Sequence, residues 1–146
     1  MIESGKYNLN SQKETADFAR SFAKQLQPGA VAAFYGELGS GKTYLIKQIC
    51  AELVTVEEAT SPSFTVINEY HTEQRGTVYH FDFYRLKNAS ELANLGIDDL
   101  LYGGNICLVE WADKIQKFLP EQRYDVFIKF IDQPEGREIE IQNRYL

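Results

Sequence analysis

Nowhere in its 146 residues does the chain carry an apolar run of the roughly 18 residues that a membrane span requires. The opening Met1-Ile2-Glu3-Ser4-Gly5-Lys6 has no apolar stretch behind a basic patch. Neither export nor membrane insertion is encoded by such a pattern, so the expected location is cytoplasmic, with no membrane partner. Cysteine is scarce. Cys50 and Cys107 each fall inside an apolar pattern, with no second Cys or His at ligand spacing, and read as small core hydrophobes instead of metal or redox groups. Positive charge is not concentrated either: 15 Lys and Arg are scattered among 21 Asp and Glu, for a formal net charge of −6. That balance disfavours binding nucleic acid by neutralising its phosphates, so any RNA is expected to be reached through a partner. Internal repeats, low-complexity tracts and interdomain linkers are also missing. With 44% hydrophobic and 25% charged residues, 1–146 reads as a single domain around one core.

What is present alternates between helical and extended patterns. Ser11 to Gln27 spaces Phe18, Ala19, Phe22, Ala23 and Leu26 at helical intervals, opens on a Ser11/Glu14 capping box, and is stopped by Pro28-Gly29. Ala30 to Tyr35 is an unbroken apolar run, as expected of a central strand covered on both faces. A second helix is expected from Lys42 to about Leu53, with Leu45, Ile46, Ile49, Cys50 and Leu53 on one face. Phe64 to Tyr70 and Thr77 to Tyr84 read as a hairpin. Asn88 to Glu91 offers caps for a third helix carrying Leu92, Leu95, Leu100 and Leu101, which Gly103-Gly104-Asn105 ends. Ile106 to Val109 is a further apolar strand, and a short helix is expected around Ala112 to Phe118. Val126, Ile128 and Phe130, then Ile139 and Ile141, alternate as a second hairpin with one buried face. The order predicts a three-layer α/β domain: a mixed sheet, parallel near the loop after Tyr35 and extended by antiparallel hairpins.

That loop carries the chemistry. Gly36-Glu37-Leu38-Gly39-Ser40-Gly41-Lys42-Thr43 matches Gly-x-x-x-x-Gly-Lys-Thr between a strand and a helix, the pattern of a phosphate-cradling P-loop. Gly36, Gly39 and Gly41 permit the positive φ and close approach that convergent amides need. Lys42 supplies a point charge for the β- and γ-phosphates, and Thr43 a hydroxyl for Mg²⁺ at a helix N-terminus. The alternative is a plain glycine-rich turn. Hydrolysis would also need an acid to anchor the metal and a group to orient water. Ile106-Cys107-Leu108-Val109-Glu110 is four apolar residues closed by an acid, the Walker-B pattern, which makes Glu110 the better metal anchor. Asp82, ending Val78-Tyr79-His80-Phe81-Asp82, is a second candidate that holds a metal-bound water or orients the nucleophile; alternatively it caps a helix or pairs with Arg85. His80 reads as a strand histidine outside the first shell. Ser61-Pro62-Ser63-Phe64 falls where P-loop proteins carry a γ-phosphate switch, with Ser63 as sensor; the alternative is a strand-entry turn. Trp111 either walls the nucleotide pocket or fills core.

Together these motifs resemble the TsaE (YjeE) family, the small bacterial ATPase needed to make threonylcarbamoyladenosine at position 37 of tRNAs reading ANN codons. The likeness spans nearly the whole chain and rests on Gly36 to Thr43, Ser61 to Phe64, His80-Phe81-Asp82-Phe83-Tyr84-Arg85-Leu86 and Val109-Glu110-Trp111. It implies that Thr43 and Glu110 bind Mg²⁺, that Lys42 and the loop amides hold ATP, that Asp82 assists turnover, and that Thr15 lies near the base. It also implies TsaD-like and TsaB-like partners, tRNA being met only through that complex. Glu37, Ser40, Ser63 and Phe83 stand where the family usually has Asp, Ala, Thr and Leu. Ser63 lacks the β-branch that stiffens χ1, which loosens any γ-phosphate contact made through it.

Two other classes compete. A GTPase would need Asn-Lys-x-Asp, which is missing. A P-loop small-molecule kinase would need an acceptor pocket and an arginine-bearing lid, for which Arg75 and Arg85 are the available side chains. A third reading, an ATP-gated binding module, merges with the first if turnover is weak until partners complete the site.

Overall fold

The computed structural model describes residues 2–37, 39–53, 67–87, 96–132 and 134–145. They form seven strands, β1 (Gly5–Leu9), β2 (Val31–Tyr35), β3 (Ile67–His71), β4 (Thr77–Asp82), β5 (Ile106–Glu110), β6 (Tyr124–Phe130) and β7 (Arg137–Asn143). The helices are α1 (Gln12–Gln25), α2 (Lys42–Leu53), α3 (Ile97–Leu101) and a 3₁₀ helix, Ala112–Phe118. One sheet runs in the order β1-β7-β6-β2-β5-β4-β3. Its centre, β6-β2-β5-β4, is parallel, while β3 pairs antiparallel with β4 at one edge and β7 and β1 continue antiparallel at the other. The expected mixed sheet and both expected hairpins are therefore present.

Strand periodicity sorts the side chains onto two faces. Ala32 and Phe34 of β2, Ile106 and Leu108 of β5, Val78 of β4 and Val126 and Ile128 of β6 join Phe22, Ala23 and Leu26 of α1 and Leu45, Ile46 and Ile49 of α2 in one core. Val31 and Ala33, Cys107 and Val109, and Phe81 form the second, beneath Ile97 and Leu101 of α3 and Ala112 and Ile115 of the 3₁₀ helix. Cys50 and Cys107 are free and buried, as expected of core thiols. Burial pushes both up to about 12, so they stay protonated and unreactive at neutral pH.

Several boundaries differ from those expected. α1 stops at Gln25 because Leu26 is already extended, its N–H bonding back to the Ala23 carbonyl. The capping box forms at Ser11, which accepts from the Glu14 N–H at 3.1 Å. Glu14 reaches back one residue further than the motif requires, to the Asn10 N–H at 3.2 Å. β1 is a strand that composition does not announce: Lys6, Tyr7 and Asn8 are exposed, and the segment is held by its backbone ladder to β7. The described part of the third helix starts at Ile97, after Gly96 at φ 65°. Asn88 to Leu95 lie outside the described residues. Phe130 is not buried with Val126 and Ile128. At the strand end it is 49% exposed, with the Arg137 guanidinium 4.7 Å above its ring. Among the described residues, no helix is long and apolar enough to cross a membrane.

A polar network braces the strand that feeds the loop. Asp125 is buried and accepts from Arg123 Nε at 2.8 Å, Arg144 Nη1 at 3.1 Å and the Tyr35 hydroxyl at 3.2 Å. Gln116 of the 3₁₀ helix donates to that hydroxyl at 2.9 Å. Burial, reinforced by the Asp125 charge, raises the Tyr35 phenol to about 12. Removing one member of a buried pair strands the other charge. Asp125→Ala is therefore expected to cost about 3 to 5 kcal/mol in urea unfolding, and adding Arg123→Met should recover much of it. A loss below about 1 kcal/mol would mean that Arg123 is satisfied without Asp125.

Candidate functional site

The loop after β2 folds as it does because of what surrounds it. A Cβ on Gly36 would lie 2.5 Å from the Ile128 carbonyl oxygen and 2.7 Å from Ser40 Oγ, so only glycine fits between β6 and the returning loop. Gly41 has φ 104°, a conformation that L side chains rarely adopt, and turns the chain into α2. The Ser40 N–H closes the turn on the Glu37 carbonyl at 3.0 Å. Ser40 Oγ is buried without a partner among the described residues. Leu38 lies outside the described residues, as does the whole Ser61 to Phe64 motif with Ser63.

Opposite the loop, β4 and β5 end side by side, with Asp82 in register with Glu110. Both acids follow the parity of Val78, Ile106 and Leu108 and so point to the α2 face. Glu110 is 1% exposed. Its Oε1 accepts from the Thr43 hydroxyl at 2.8 Å, and its Oε2 is 2.7 Å from His80 Nε2. Against an ionised carboxylate, which only accepts, that ring nitrogen would be the donor. Asp82 is half-buried and takes the Tyr84 N–H on Oδ1 at 3.0 Å. Burial raises its pKa and the Glu110 charge adds to the rise; the Tyr84 N–H, His80 and Lys42 oppose it. Its observed contact is thus a turn cap, and Asp82 makes no ion pair with Arg85 among the described residues.

Lys42 is buried. Its Nζ donates to the Gly36 carbonyl and sits 3.4 Å from the centroid of the Trp111 ring. Burial pulls its pKa down, against the pull of Glu110, Asp113 and Asp82. Trp111 adopts φ 57°, the one positive φ outside glycine among the described residues. A bulky residue held there stores about 1 to 3 kcal/mol of backbone strain, which proteins retain mainly at functional sites. The turn lays the indole over Lys42, with the Tyr84 ring 5.1 Å away. Trp111 therefore lines this cavity and also packs, partly buried, against the second core.

The sequence-predicted residues divide between two cavities. One, of about 250 Å³, gathers Gly39, Gly41, Lys42, Thr43, Asp82, Glu110 and Trp111. The other, of about 460 Å³ on the loop's far flank, touches Gly36, Glu37 and Ser40 beside Tyr35, Phe127 and Phe130. Thr15 lines neither and is buried in α1. The start of α1 does reach α2, where the Tyr44 hydroxyl donates to the Gln12 carbonyl at 3.3 Å. His80 is the strand histidine expected, and sequence reasoning missed only its partner, Glu110, although His80-x-Asp82 spacing already places both on one strand face. Arg137, whose Nε donates to the Ser40 carbonyl at 2.6 Å, comes from 97 positions away, and no local signal marks it. Arg75, which a kinase lid would need, donates to the Ala23 carbonyl at 2.6 Å on the last turns of α1.

A strand opening through this loop into a helix, within a sheet of parallel centre, defines a P-loop NTPase fold. The chain belongs to the TsaE family: the family model described as threonylcarbamoyl adenosine biosynthesis protein TsaE matches residues 9–139. It is similar to tRNA threonylcarbamoyladenosine biosynthesis protein TsaE of Rickettsia bellii, 38% identical over 141 residues and 94% of each chain. The protein of the same name from Bacillus subtilis is 37% identical over 143 residues, 96% of this chain and 88% of that one. The crystal structure of Bacillus subtilis YdiB superposes with a TM-score of 0.77 at 33% identity, over 99% of this chain and 88% of that one.

Trp111 is the only tryptophan, so intrinsic emission reports its contact with Lys42. Saturating ADP is expected to draw the ammonium off the ring and change the emission. Lys42→Met should change the emission of the free protein and abolish the response. Emission indifferent to both would show that ring and ammonium do not communicate.

Proposed function

We propose that this chain binds ATP with Mg²⁺ at Gly36 to Thr43 and hydrolyses it as the nucleotide switch of tRNA threonylcarbamoyladenosine synthesis, with TsaD-like and TsaB-like partners. The observation that carries this reading is the 2.8 Å contact between the Thr43 hydroxyl and Glu110. It joins the last residue of the loop to the acid that ends β5, as a Walker-A and Walker-B pair would be joined. The names of the relatives support the pathway, and the site supports the nucleotide.

A hydroxyl and a carboxylate form the hard-oxygen pair that suits Mg²⁺, which keeps waters and phosphates as its remaining ligands. Among the described residues no three or more His, Cys, Asp or Glu are placed so that they could hold a metal ion, as an all-protein metal cage would need. Thr43 and Glu110 would hold the ion, which supplies charge neutralisation of the phosphate oxygens when bound. Lys42 and the amides of Gly39 to Thr43 bind the β- and γ-phosphates, at the N-terminus of α2 where the helix dipole favours anions. Trp111 screens Lys42 from water until phosphate competes for the ammonium. Asp82, half-buried one strand away from Glu110, orients the attacking water. Thr15 would approach the base, and Ser63 would sense the γ-phosphate.

Residues that complete turnover are expected from outside the chain, because among the described residues no arginine lines the cavity at Lys42, and Arg137 is engaged by the Ser40 carbonyl. ATP hydrolysis should therefore be slow alone and faster with the TsaB and TsaD homologues of the same cell. Lys42→Ala should weaken nucleotide binding by about 10- to 100-fold, the worth of one hydrogen bond to a charged group. Equal rates with and without partners would rule out the switch, and full nucleotide affinity in Lys42→Ala would rule out the site.

A further inference from the structure

Glu110 can serve a metal only if its carboxylate is held still, and Thr43 satisfies only one of its two oxygens. The other oxygen is met from below. His80 sits in register with Leu108, two pairs deeper in the sheet than the Asp82–Glu110 pair, on the same face of β4 as Asp82. From there its Nε2 reaches diagonally up to Glu110 Oε2 at 2.7 Å. Both side chains are 1% exposed, so the contact lies in the interior of the sheet face. The cover above them is α2: Cys50 on that helix lies close enough for the Glu110 charge to raise its thiol further.

We infer that His80 is a positioning residue for the metal-binding carboxylate. Its Nε2–H ties Oε2 toward β4, which leaves Oε1 facing Thr43 and the loop. The inference rests on the reading of Thr43 and Glu110 as the Mg²⁺ pair. Without His80, a buried carboxylate loses one of two donors and becomes free to rotate about its last torsion. Partners of metal ligands commonly contribute about 10- to 100-fold in metal affinity through this kind of orientation. The nucleotide's contacts with Lys42 and the loop amides do not run through His80, so only the metal-assisted part of nucleotide binding should suffer.

The test is the ADP affinity of the full chain by calorimetry, in MgCl₂ and in EDTA, for the wild type, His80→Ala, His80→Met and His80→Gln, with urea unfolding of each. Methionine fills the ring's volume without a donor, and glutamine places an N–H near the Nε2 position. In EDTA all folded variants should match the wild type within about twofold. In Mg²⁺ the gain in affinity should fall about 10-fold or more in His80→Ala and His80→Met, and return in His80→Gln. Should His80→Ala not fold, the Met and Gln pair decides. A folded His80→Met that keeps the whole Mg²⁺ gain overturns the role of His80 alone. A His80→Gln no better than His80→Met, or a loss equal in EDTA and Mg²⁺, makes His80 a packing residue and overturns it as well. A wild type with no Mg²⁺ gain overturns the Thr43–Glu110 pair, and the inference falls with it.

Discussion

A carboxylate sealed from water must find donors for both oxygens or give up its charge, and Glu110 at the tip of β5 finds them in two directions. Thr43 comes from the first turn of α2 and His80 from the neighbouring strand. The rest of the site is arranged around that requirement. β5 lies between β2 and β4, parallel to both, so the strand that opens into the phosphate loop and the strand that ends in Asp82 both end beside it. The loop has no freedom at its start, where Gly36 is pressed against β6. Nor has it any at its end, where Thr43 is tied to Glu110. Between those anchors, the amides of Gly39 to Thr43 lie at the N-terminus of α2.

Charge explains why such a site wants more than a nucleotide. One ammonium, Lys42, faces three carboxylates, Glu110, Asp113 and Asp82, and burial already disfavours its charge. In the proposed function, phosphates brought into this cavity would add to the negative side, which would couple nucleotide and divalent cation in one geometry. Trp111 is the other half of that argument. Its left-handed backbone costs energy, and what it gains is an indole face over the ammonium, a cation–π contact that strengthens where water is excluded. The Asp125 network behind Tyr35 keeps β2 in place against β6 and the 3₁₀ helix, and so supports the loop from the side opposite the acids.

Local pattern made much of this legible. The apolar run before Gly36 and the 3.6-residue spacing after Lys42 marked β2 and α2 almost to the residue, because a covered strand and an amphipathic helix write their environment into composition. Glu110 and Asp82 were visible as acids closing strands. Their neighbourhood was not, since register is a property of two strands and of no single segment. β1 was missed because an edge strand held by backbone bonds needs no apolar side chains. Phe130 was misplaced because alternation says nothing about where cover ends. Arg137 arrives at Ser40 through tertiary structure alone. His80 was readable from its spacing to Asp82, but its role needed the diagonal reach to Glu110. The family resemblance added Thr15 and the partners, which no pattern in the chain suggests.

The most direct test of the nucleotide site is a crystal structure of the full chain with Mg²⁺ and a non-hydrolysable ATP analogue. The expected result has phosphates against the amides of Gly39 to Thr43, Lys42 turned from the Gly36 carbonyl and the Trp111 ring onto them, and the cation between the Thr43 hydroxyl and Glu110. A nucleotide bound away from the loop, or a cation served by neither Thr43 nor Glu110, would contradict it.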